Sequence, residues 1–63
     1  MADHTVMVRR GGRIYRATWS LSQGYVRVLS PYGMAEGRSG PDPALSAETL
    51  LNRLIHLWEE QAR

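Results

Sequence analysis

The feature that most limits how this chain can fold is the stretch Gly12–Gly33, where two alternating runs flank a short turn. Tyr15, Ala17, Trp19 and Leu21 alternate with Arg16, Thr18 and Ser20, and Val26 and Val28 flank Arg27. A period of two over such runs marks half-buried strands, and Gln23-Gly24 between them marks a hairpin. The segment before it repeats the arrangement. Thr5-Val6-Met7-Val8-Arg9-Arg10 reads as a strand, and Gly11-Gly12 supplies a two-residue turn.

Each turn imposes a register that the apolar pattern checks independently. Closing on Gly11-Gly12 sets Val8 opposite Tyr15 and Val6 opposite Ala17; closing on Gln23-Gly24 sets Leu21 opposite Val26 and Trp19 opposite Val28. Both pairings put apolar residues on one face. The expected inner face is therefore Val6, Val8, Tyr15, Ala17, Trp19, Leu21, Val26 and Val28, and a slip of one residue would turn that set to solvent. Beyond Ser30, Pro31 ends the strand or makes it an edge. Residues 34–38 allow a short fourth strand.

The C-terminal third has the helical period instead. Ala47, Leu50, Leu51, Leu54, Ile55, Leu57, Trp58 and Ala62 fall within an arc of about 160°, with Gln61 the polar intruder. Ser46 is the expected N-cap, with Glu48 in the first turn and Arg63 in the last, and Asp42-Pro43 is a second candidate start. The expectation is one α+β domain over 1–63: a three-stranded antiparallel meander carrying one amphipathic helix on its inner face. Its parts are a frayed terminus at 1–4, sheet at 5–38, loop at 39–45 and helix at 46–62.

At 63 residues without a cysteine, no disulfide or thiolate-metal site reinforces so small a core, which leaves oligomerisation as the common remaining aid. No apolar run reaches the ~18 residues of a membrane span, and Met1-Ala-Asp-His does not read as a basic n-region followed by an apolar signal core, so no signal peptide is expected. A cytoplasmic protein without membrane association is expected. All eight basic residues are arginine. Residues 1–40 hold six arginines against Asp3 and Glu36, a net +4, while residues 41–63 hold two against four acids, a net −2. That asymmetry favours an anionic partner for the sheet half.

The outer face follows by difference, and one helix cannot cover both faces. It carries Thr5, Met7 and Arg9, then Ile14, Arg16, Thr18 and Ser20, then Tyr25, Arg27 and Leu29. Met7, Arg9, Ile14, Arg16, Tyr25, Arg27 and Leu29 are the candidate binding residues, because clustered apolar side chains among arginines mark interaction surfaces. The plainer alternative is an ordinary solvated face with arginine stems lying over the apolar groups. No catalytic set, metal site or cofactor motif is expected. Asn52, His56 and Glu60 share a helix face at i, i+4 spacing that serves an exposed helix better than a metal, and both tryptophans stand at inward positions.

Gly12-Arg13-Ile14-Tyr15, Gly24 through Gly33 and the Leu-rich helix together resemble a set of short uncharacterised bacterial proteins. Those pair a G-R-x-Y strand with a G-x-V-x-V-x-S-x-Y-G strand and end in an amphipathic helix. The resemblance implies turn roles for Gly24 and Gly33 and a packing role for Tyr32, and it implies no activity. The Pro41-Asp42-Pro43 loop is longer than theirs.

The leading expectation is a non-catalytic protein-binding module that occupies a partner's surface, most naturally an acidic one, through the Arg/apolar outer face. Its concrete form is a phage or mobile-element inhibitor of anti-CRISPR type, on size class alone. The alternative is a nucleic-acid-binding domain using the same basic face. A third reading is a homodimer that buries Met7, Ile14 and Leu29.

Overall fold

A computed structural model describes residues 3–62. The elements run β1 (His4–Arg10), β2 (Arg13–Ser22), β3 (Tyr25–Ser30), β4 (Gly33–Arg38) and α1 (Pro43–Gln61). The strands form one antiparallel sheet in sequence order, so β1 and β4 are its edges. Both hairpin registers are those the turns dictate: Val8 faces Tyr15, Val6 faces Ala17, Trp19 faces Val28 and Leu21 faces Val26. Gly11 and Gly12 have φ of 56° and 78°, the backbone a two-residue turn of this hand requires.

The fourth strand is real and begins at Gly33. Its inward positions Gly33, Ala35 and Gly37 lie beside Ser30, Val28 and Val26, and all three are small. That lets α1 settle close to the sheet: a Cβ at Gly37 would stand 3.4 Å from Leu50 Cδ2, and one at Gly33 3.4 Å from Leu54 Cδ2. The helix thus lies antiparallel to β4 and reaches the β1–β2 turn with its C-terminal end.

The core is Val6, Val8, Tyr15, Ala17, Trp19, Val26 and Val28 from the sheet and Ala47, Leu50, Leu51, Leu54 and Ile55 from the helix. Val26, Val28, Leu51 and Ile55 are fully buried, each contributing about 1.5–3 kcal/mol of apolar transfer. At one end, Tyr15, Tyr32 and Trp58 meet edge-on with Tyr32 centred 5.2 Å from each of the other rings. This cluster closes the core where the β3–β4 turn, the start of β2 and the helix end converge, and Tyr32 has the packing role expected of it.

Several expectations change. Leu21 is 48% exposed instead of buried. Its row continues through Val26 to Gly37, but β1 starts one row earlier with His4 beside Trp19, and the helix at this level lies over β4. Among the described residues, Leu21 therefore has no strand neighbour on the β1 side and no helix cover above. Leu57 is likewise 48% exposed, at the flank of the stripe, and Ala62 is an exposed C-cap.

The helix begins at Pro43, not near Ser46. Asp42 caps it, its Oδ1 accepting from Ala44 N at 3.1 Å and Leu45 N at 3.4 Å, and Pro43 fits the first helical position because it lacks the N–H that would go unpaired there. Glu48 consequently stands in the second turn. Ser46 instead ties the loop down, accepting from Gly40 N at 2.9 Å.

His4 belongs to β1, where its ring stacks on Trp19 with centroids 4.5 Å apart and covers the open side of the indole. Met1, Ala2 and Arg63, with the expected fraying of the terminus and the closing charge of the last turn, lie outside the described residues.

Candidate functional site

The odd-numbered positions of β1 and the even-numbered ones of β2 point away from the helix, and the registers assemble them into rows. Arg9 lies beside Ile14 and Met7 beside Arg16. One row crosses the sheet as Thr5, Thr18, Leu29 and Met34. Ser20, Arg27 and Glu36 make the next, and Ser22, Tyr25 and Arg38 the last. All seven expected binding residues share this face and are exposed, in two groups. Met7, Arg9, Ile14 and Arg16 cluster on β1 and β2; Tyr25, Arg27 and Leu29 sit on β3. The Thr5–Met34 row joins them.

Three residues of the face come from β4 and were not singled out in the sequence: Met34, Glu36 and Arg38. The available signal was the alternation of large Met34, Glu36 and Arg38 with small Gly33, Ala35 and Gly37, a periodicity of size more than of polarity. Glu36 changes the electrostatics. Its Oε2 lies 3.3 Å from Arg27 Nε, so Arg27 is held in a solvent-exposed pair worth about 0.2–1 kcal/mol. Among the described residues, Arg9, Arg16 and Arg38 have no acidic partner within ion-pair distance. Within the strands the face carries four arginines against one glutamate, a net +3.

Charge is therefore divided by face. The helix side carries Arg10, Arg13 and Arg53 against Asp42, Glu48, Glu59 and Glu60, a net −1 among the described residues. Arg10 is spent internally: its Nη1 donates to Asn52 O at 3.1 Å and its Nη2 lies 3.3 Å from Glu59 Oε1.

The apolar groups divide too. Met7, Ile14, Tyr25, Leu29 and Met34 are each about half exposed on the outer face, with Leu29 and Met34 directly paired across strands. The exposed apolar residues of the other side, Leu21, Leu45 and Leu57, stand on a strand end and on two turns of the helix twelve residues apart.

A shallow depression lined by Ser20, Ser22, Gln23, Tyr25, Arg27 and Glu36 marks one end of the outer face. His56 Nε2 lies 3.6 Å from Glu60 Oε1, while Asn52 Nδ2 donates to Glu48 O, so Asn52 does not join that pair. Among the described residues no group of three or more His, Cys, Asp or Glu side chains is placed to hold a metal ion. No described helix is long and apolar enough to cross a membrane. Comparison with protein-family models, with curated proteins and with solved structures returns no match.

Proposed function

We propose that the protein is a non-catalytic binding module whose outer sheet face docks on an acidic protein surface bearing apolar groups. The observation that carries this reading is the coincidence on one face of five half-exposed apolar side chains with a net +3 within the strands, +2 once Asp3 before β1 is counted. Apolar burial supplies affinity for such a partner, and the arginines supply orientation and selection against basic surfaces. Arg16, beside Met7, and Tyr25, beside Arg38, are the central contacts of the two groups. A stoichiometric inhibitor of phage or mobile-element origin is the narrower form, supported by size class alone.

The test is affinity capture from host lysate with the wild-type protein, an Arg16→Ala/Tyr25→Ala variant and an Arg53→Ala control on the helix side. The reading requires an acidic protein retained by wild type and control and lost from the double variant, with thermal melts of all three alike. Retention of the same protein by the double variant would remove the outer face from consideration.

Nucleic acid is the second reading, favoured by three arginines on one face without acidic partners among the described residues. Three phosphate contacts predict duplex DNA affinity falling roughly 40-fold between about 50 and 200 mM salt. Fluorescence anisotropy measures it directly, and no binding at the lower salt eliminates this reading.

A further inference from the structure

We infer that β1 is a dimerisation edge, pairing antiparallel with β1 of a second copy to join two sheets into one. The surface involved is the strand's backbone, not the outer face, and the inference stands independently of what that face binds. In a two-residue hairpin the residues flanking the turn form a hydrogen-bonded pair, and such pairs recur at every second position. Arg10 with Arg13 is therefore bonded, as are Val8 with Tyr15, Val6 with Ala17 and His4 with Trp19. The N–H and C=O groups of Thr5, Met7 and Arg9 point the other way, off the sheet. Among the described residues no side chain and no backbone group outside the ladders reaches them.

Soluble proteins guard such edges with proline, bulges, short strands or central charges. β1 has none of these in His4–Met7–Arg10: it is seven residues long, uninterrupted, and charged only towards its C-terminal end. The other edge differs, since β4 contains two glycines and carries Glu36 in its middle.

Charge selects the occupant and the register. Asp3 immediately precedes the strand, six residues from Arg9, and extending the strand by one residue would put it on the outward side. A two-fold axis at Val6 places Arg9 opposite Asp3 of the second copy, and Asp3 opposite Arg9 of the second copy. Thr5 and Met7 then face one another across the axis as bonded pairs, and Val6 meets Val6 at an unbonded position. Moving the register by two residues either way breaks the match: Asp3 then faces Gly11 or Met7, and Arg9 faces Thr5 or runs past the pairing. A second copy thus completes the ladder with opposite charges at both ends. The helices of both copies lie on one side of the joined sheet, and the two Arg/apolar faces become continuous on the other.

Sedimentation equilibrium on the wild-type protein, with charge variants, tests this. The wild type is expected to dimerise reversibly. Arg9→Asp sets like charges together twice and should weaken the dimer at least about tenfold, while Asp3→Arg/Arg9→Asp restores it to within about threefold. Thr5→Pro removes an edge N–H that the monomer does not use, so the variant should be monomeric with an unchanged near-ultraviolet spectrum. Leu29→Asp, on the outer face and away from Arg9, should leave dimerisation intact. A wild-type protein that stays monomeric at millimolar concentration overturns the inference. So does a dimer that Leu29→Asp dissociates, or one for which the double charge swap fails to restore what Arg9→Asp removed.

Discussion

Gln23 is the one non-glycine residue with a positive φ among those described, at 52°, followed by Gly24 at 82°. Both central positions of this turn are left-handed, a backbone that asparagine tolerates better than glutamine because its short amide bonds locally. The site stores a small strain that a residue change releases. Gln23→Asn should raise stability by about 0.5 kcal/mol, roughly 2–4 °C in Tm for a domain of this size, and Gln23→Val should lower it by about 1 kcal/mol or more. Thermal melts followed at Trp19 and Trp58 measure both, and a lower Tm for the asparagine variant would contradict the assignment of strain. Leu21 shows what alternation alone leaves open. Alternation reports which way a side chain points, and Leu21 does point inward; whether anything covers it depends on where β1 starts and where the helix crosses.

At the scale of elements, the first two hairpins were legible because two independent signals, turn length and apolar alternation, require the same register. β4 was only half legible. Its inward residues are glycine and alanine, so it has no apolar alternation of its own, and its burial comes from Leu50 and Leu54 resting on it. The helix start was ambiguous because Asp42-Pro43 and Ser46 are both competent starts, and the structure resolves it by giving Ser46 the competing task of accepting from Gly40 N. What ties the helix end to the first hairpin is Arg10, bonded at once to Asn52 O and Glu59. Both side chains of the ion pair are about a third or more exposed, at 32% and 40%, so solvent screening limits its coupling. A double-mutant cycle of Arg10→Ala and Glu59→Ala by urea unfolding should give a coupling of about 0.2–1 kcal/mol that shrinks with added salt. Arg10→Ala alone should cost more than Glu59→Ala, because it also loses the bond to the Asn52 carbonyl. Equal single costs would mean that this bond contributes nothing.

For the whole molecule, charge is sorted by surface and not by stretch of chain. Reading the sequence in halves found a basic sheet segment and an acidic helix segment, but Arg10 and Arg13 of the basic half lie on the helix side, and Glu36 neutralises Arg27 on the outer face. Seven outer-face residues were legible since alternation assigns faces well; the pairing of Arg27 was not, as it needs the register of a strand with little signal. The remaining field is that of Arg9, Arg16 and Arg38 on one face and a weakly acidic surface opposite, an arrangement that orients an approaching anionic partner. Orientation at a distance acts on the association rate, and is screened over about 8–10 Å at physiological salt. Once a partner is identified, replacing Arg9, Arg16 and Arg38 by Gln one at a time should each flatten the salt dependence of the association rate by about a third. The dissociation rate should change less, and stability by no more than about 0.5 kcal/mol, since all three side chains are exposed. Arg53→Gln on the helix should leave the rate unchanged. Stopped-flow association across a salt series separates these outcomes: equal effects from Arg53 and Arg16 would show that net charge, not its placement on the sheet, steers the encounter.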